Sequence, residues 1–292
     1  MAKIADDLKH EVFQDSNPQA DLLTVGIDLE IHPINPETFA IPDGWQFRPT
    51  ITADVFDITS GHGSGTDWIL SLVESLRVIE TQCANDPDLS LAVTVGGFRN
   101  LSWQGEKFDV DEWADYVLRI TSANEHGLLC ATGSLQAYQS IDRRYETLKN
   151  SPGLAVKGLT HAQLCEMGTG TGIWFDQDTI TFRLFNWVGA DNALVAIIMS
   201  MGIVQMASED KRAKNYDLRK DARGGSFHEA VNWALLECCA AVSRYWSPLS
   251  IRHGHYRGFP TAGVGTFLAQ IKKIARGNWQ SWQKDEVDIL MG

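Results

Sequence analysis

Leu22-Leu-Thr-Val-Gly-Ile-Asp-Leu-Glu-Ile-His32 is the stretch from which the fold is read. From Val25 onward, apolar and polar residues alternate, the period-two signature of a strand with one buried face. Val25, Ile27, Leu29 and Ile31 make up the face expected to meet a core. Gly26, Asp28, Glu30 and His32 make up the other. Two carboxylates at i and i+2 on one face point the same way, roughly 7 Å apart by strand geometry.

Working outward, Pro33, Pro36, Pro42 and Asp43-Gly44 mark a loop. Phe47 to Ile58 reads as one or two further strands, with Asp54 near the centre of the segment Thr52–Ile58. Ser60-Gly-His-Gly-Ser-Gly65 reads as a flexible turn into a helix over Asp67–Ile79, capped by Thr66 or Asp67. Leu89–Val95 is a strand ending at Gly96-Gly97, and an acid-led helix follows from Val110 to His126. Short helical pieces are expected at Asp142–Asn150 and Thr160–Met167, and a loop at Gly168–Gly172. Ile173–Phe175 and Thr179–Trp187 read as a hairpin joined through Asp176-Gln-Asp178. Helices are expected at Asp191–Ala207, Glu229–Tyr245 and Phe267–Arg276, with a charged, exposed stretch at Lys211–Gly225. With no repeat or linker, the expected organisation is a polar arm over 1–20 and a single α+β domain over 21–292.

Composition narrows the class. Hydrophobic residues at 44% and charged residues at 21% suit a globular chain with a sizeable core. A formal net charge of −12 opposes a polyanion, so no nucleic-acid partner is expected. The longest apolar run, Ala193–Met199, stops at Ser200, short of the ~20 residues that span a bilayer. No membrane association is expected. The first ten residues lack the apolar core of a leader, and the five cysteines follow no framework spacing. Reduced thiols in a cytoplasmic protein are the expectation.

Four constellations bear on chemistry. Asp28 and Glu30 suit a hard divalent cation such as Mg²⁺; a solvated polar strand face is the plain alternative. In Thr179-Ile-Thr-Phe-Arg-Leu-Phe-Asn-Trp187, alternation puts Arg183 with Thr181 and Phe185, and Phe182, Leu184 and Asn186 opposite. An arginine amid that bulk is expected to grip a carboxylate or phosphate, or to form a structural salt bridge. Gly61-His-Gly-Ser-Gly65 lies before a helix, where Gly63 and Gly65 are candidates for cradling a phosphate, without the Lys-Ser/Thr of a P-loop. His253-Gly-His255, flanked by Arg252 and Arg257, fits an anion better than a metal.

Gly26-Ile-Asp-Leu-Glu30 resembles the Gly-x-Glu-x-Glu first strand of the amidoligase family, carboxylate–amine ligases related to glutamate–cysteine ligase and glutamine synthetase. Thr179–Trp187, followed by Asp191 and its helix, is similar to that family's Thr-Ile-Glu-Phe-Arg strand and the helix after it. The resemblance spans roughly 22–210, and its specific motifs are the two at the ends. It implies a curved, mostly antiparallel sheet of glutamine-synthetase-like form, with helices packed outside. It implies ATP and Mg²⁺ as cofactors, with Asp28, Glu30 and Asp54 as metal ligands and Asp54 and Arg183 in catalysis. The chemistry implied is activation of a small-molecule or peptide carboxylate as an acyl phosphate, then its joining to an amine.

The departures are definite. The family's first glutamate is Asp28, the glutamate before Phe-Arg is Thr181, and its Gly-x-His-x-His segment falls at Val95–Phe98, where Gly97 replaces a histidine. They carry one alternative, a catalytically inactive relative used for binding or assembly. A second alternative is an acid/base hydrolase such as a glycosidase, working through Glu30 with Asp54 or Asp57. Homo-oligomerisation is left open.

Overall fold

The computed structural model describes residues 23–48, 54–84, 89–100, 109–123, 125–134, 159–167, 172–209, 271–278 and 280–281. The arm at 1–20, the helices expected at 142–150 and 229–245, the stretches 211–225 and 168–171, Cys238, Cys239, His253 and His255 lie outside them.

Among the described residues six strands form one sheet, in the order β2-β3-β1-β4-β6-β5. They are β1 (Thr24–Ile31), β2 (Gln46–Arg48), β3 (Phe56–Ser64), β4 (Ser90–Gly96), β5 (Ile173–Phe175) and β6 (Thr179–Asn186). Every neighbouring pair is antiparallel. The expected α+β class and antiparallel sheet are therefore present. The helices are α1 (Gly65–Glu80), α2 (Val110–Ala123), α3 (Glu125–Ala131), α4 (His161–Glu166) and α5 (Ala190–Glu209). A further helix covers 271–278.

Alternation in β1 sorts its faces as expected: Val25, Ile27, Leu29 and Ile31 are essentially fully buried, while Asp28 and Glu30 are half-buried on the other side. The buried face continues through Ile58 on β3, Leu91, Val93 and Val95 on β4, and Ile180 and Phe182 on β6. Each such side chain contributes about 1.5–3 kcal/mol on leaving water. α1 and α5 pack on this face, and α2 packs on α5. The window Ala190–Ala207 of α5 is apolar enough to cross a membrane by length and composition, more so than the sequence reading allowed, and 89% of it is buried inside the protein. Its apolar surface serves the core, which also explains its nearly uniform burial.

Three local expectations change. Gly61–Ser64 is not a turn but the end of β3, which pairs with β1 through Gly63 and Ser64. Helix α1 then starts at Gly65 with Ser64 as N-cap, and Ser64 makes no side-chain capping bond. In β6 a bulge between the partners of Leu91 and Val93 resets the alternation. Phe182 and Phe185 both meet the helix side, opposite Val93 and Leu91, so Phe185 does not share a face with Arg183. By contrast α4 opens where expected: Thr160 and Gln163 form a reciprocal capping box.

Candidate functional site

The polar face of the sheet is ordered in rows by strand register. One row runs Arg48, Asp57, Glu30 from β2 through β3 to β1. The next runs Gln46, Thr59, Asp28, Ala92. The third crosses five strands as His62, Gly26, Thr94, Thr181, Trp174. The β6 bulge sets Arg183 and Leu184 beside Ala92, whose small side chain separates them from Asp28. Three carboxylates and two guanidiniums thus share one face.

These groups sense one another. Glu30 and Asp57 are direct cross-strand partners, an unfavourable placement for like charges. Burial pushes the Asp57 carboxyl above its ordinary range; Asp28 adds to the rise, Arg48 opposes it, Glu30 adds again and Arg183 opposes it. Arg48 Nη1 lies 3.7 Å from Asp28 Oδ1, with side chains 59% and 33% exposed. That Oδ1 is enclosed and accepts no hydrogen bond among the described residues. The ion pair is therefore loose: it supplies charge but no donor to a desolvated oxygen. Arg183 is exposed, and among the described residues it makes no ion pair with Asp28 or Glu30.

The other expected site residues fall as follows. Asp54 is not within a strand: it is exposed, at φ 69°, two residues ahead of β3. Asp57 takes the place on the sheet that Asp54 was expected to fill. The alternation of Phe56 and Ile58 toward the core was the signal for it. Arg48 was missed because three residues, Gln46–Arg48, give alternation too little length to register. His62, which its glycine neighbours suggest lies in a turn, is exposed on β3 and set over Gly26; a Cβ on Gly26 would come within 2.8 Å of its ring.

Gly63 has a packing cause. A Cβ there would enter the Trp68 indole, whose Nε1 donates to the Val25 carbonyl at 2.7 Å. Gly65 stands at the N-terminus of α1, where the helix dipole favours an anion. Thr181, at the family's glutamate position, is buried and shares a hydrogen bond with Thr94, their oxygens 2.9 Å apart. Gly97 has φ 75°, a backbone angle that favours glycine.

Among the described residues no three His, Cys, Asp or Glu side chains form a ready metal cage. Mg²⁺, however, usually keeps several waters and takes one or two carboxylates plus substrate oxygens. The bare Oδ1 of Asp28 and the opposed carboxylates of Glu30 and Asp57 fit that manner of binding.

Fold and face together define the class: an α+β protein whose antiparallel sheet carries carboxylates and guanidiniums in register on one face. No protein-family model matches the chain, and no curated protein aligns with it.

Proposed function

We propose that the chain is an ATP- and Mg²⁺-dependent ligase joining a carboxylate to an amine, on a sheet of glutamine-synthetase-like form. The supporting observation is the gathering of Asp28, Glu30 and Asp57 with Arg48 and Arg183 on the sheet face opposite the one that α1 and α5 pack on. Asp28 and Glu30, with Asp57 in place of Asp54, hold the cation. Mg²⁺ supplies neutralisation of phosphate oxygens when bound. Arg183, exposed beside Ala92, reaches the phosphoryl group and steadies negative charge as it develops. Gly65, at the α1 N-terminus, favours a phosphate; Gly63 acts in packing. The substrates are a small-molecule or peptide carboxylate and an amine, in a cytoplasmic setting.

One observation favours an inactive relative instead. Thr181 spends its hydroxyl on Thr94 where the family places a carboxylate. A relative of that kind would keep the fold and bind without turnover.

A thermal shift with Mg²⁺ and ATP separates the readings. At 100 times its dissociation constant a ligand adds about 2.7 kcal/mol, a shift of a few degrees at this size. The ligase reading expects that shift in the wild type and its loss in Asp28→Ala/Glu30→Ala. No shift in either protein sinks it.

A further inference from the structure

The Arg48–Asp28 contact does not have the geometry of a structural salt bridge. At 3.7 Å it lies beyond hydrogen-bonding distance, and it leaves Asp28 Oδ1 enclosed without a donor. Register makes the choice of partner unusual. Arg48 stands directly opposite Asp57, yet its ion pair goes past β3 to Asp28 on β1, one row away. The oxygen it faces is the enclosed Oδ1 that accepts no hydrogen bond among the described residues.

Its mounting is also weak. Among the described strands β2 is a three-residue edge, exposed at all three positions, and edge segments with few buried contacts open at small cost. The guanidinium has no hydrogen bond among the described residues and is 59% exposed in its pair. Once it leaves, Asp28, Glu30 and Asp57 face one another on adjacent strands with less positive charge between them.

We propose that Arg48 is the resident counter-ion of Asp28: a divalent cation that takes Asp28 displaces the guanidinium, which then turns to an anionic substrate group. The ion pair is thus a placeholder that exchanges partners as the site fills. This rests on the ligase reading, in which Asp28 holds a cation. An arginine suits the second task, because its planar fork grips carboxylate or phosphate bidentately.

The test uses Mn²⁺ alone as probe, with the free ion counted by electron paramagnetic resonance. The proteins are wild type, Arg48→Gln, Arg48→Lys, Asp28→Asn and the Arg48→Gln/Asp28→Asn double variant. A partly exposed pair should compete weakly, so Arg48→Gln should tighten Mn²⁺ about fivefold, with Arg48→Lys close to wild type. In the Asp28→Asn background, Arg48→Gln should tighten nothing. With Mn²⁺ saturating, inorganic phosphate should bind wild type more tightly than Arg48→Gln; without Mn²⁺ that difference should vanish.

Equal Mn²⁺ affinity in wild type and Arg48→Gln overturns the proposal and leaves the cation reading standing. Equal tightening in both Asp28 backgrounds overturns it too, since the effect is then the general field of a lost charge. Equal phosphate affinity with Mn²⁺ present removes the exchange. Absence of Mn²⁺ binding in wild type and Arg48→Gln alike brings down the cation reading and this proposal with it.

Discussion

Thr94 and Thr181 face each other across β4 and β6 with hydroxyl oxygens 2.9 Å apart, both nearly enclosed at the centre of the polar face. Replacing one by valine keeps the shape and strands the other hydroxyl. Thr94→Val and Thr181→Val should each cost about 1–3 kcal/mol, the desolvation penalty of an unpaired buried group. The double variant should cost less than the sum, because no hydroxyl is then orphaned. Urea denaturation of the four proteins measures this; strict additivity would mean the two hydroxyls do not rely on each other.

Gly63 and Trp68 make a second pair whose logic is steric. A methyl at Gly63 displaces the indole and breaks its hydrogen bond to Val25. Gly63→Ala should cost about 1–3 kcal/mol as an overpacking change and shift the tryptophan emission. In a Trp68→Ala background the same substitution should be nearly neutral. A Gly63→Ala protein of unchanged stability that fails to bind nucleotide would instead restore the phosphate-cradle role for this glycine.

Legibility in the sequence followed the length of each signal. β1 was legible because eight residues alternate without interruption. The β5–β6 hairpin and α5 were legible from a polar connection and a long apolar run. The bulge in β6 was not, because one inserted residue leaves composition unchanged and yet moves Phe185 to the other face. Gly61–Gly65 misled for a related reason. Gly63 answers to packing by the Trp68 ring and Gly61 to a φ of 67°, and composition alone does not separate those demands from a turn. The site was half visible: Asp28 and Glu30 are local in sequence, whereas Asp57, Arg48 and Arg183 join them only through strand pairing.

Asp57 is placed at a cost to stability. Its folded-state pKa is raised, by burial first and then by Asp28. A carboxyl raised in the folded state stabilises when protonated, and that contribution is lost as pH rises through the raised value. At pH 7 the group therefore opposes folding. Asp57→Asn should make the protein more stable at pH 7 and lose that advantage near pH 4, while weakening any cation affinity of the face. Melting curves at the two pH values decide it. A variant less stable at pH 7 would mean that Arg48 and Arg183 outweigh burial and repulsion.

His161 carries the opposite sign at milder pH. Its ring is buried in a nest with Phe98 and Phe175, and Phe98 stacks on Trp113 at 4.0 Å. Burial lowers its pKa, and Arg99 lowers it further. A hydrogen bond to the Asp176 backbone and the charges of Asp111 and Asp176 pull the other way and lose. Cys165, 3.8 Å from Nδ1, is itself held protonated by burial and gives the ring no anionic partner. The folded state thus favours neutral imidazole. Above the unfolded value of about 6.5 neither state binds the proton, and the residue is silent. Below it the unfolded chain protonates first, so stability falls as pH drops from about 6.5 toward the lowered folded value. His161→Phe, which keeps an aromatic ring in the nest, should flatten the stability profile between pH 7 and pH 5. The comparison is the slope of unfolding free energy against pH, which the number of protons taken up on unfolding sets directly. If both proteins lose stability with the same slope, the acid sensitivity resides in other groups, and burial of His161 costs nothing that protonation exploits.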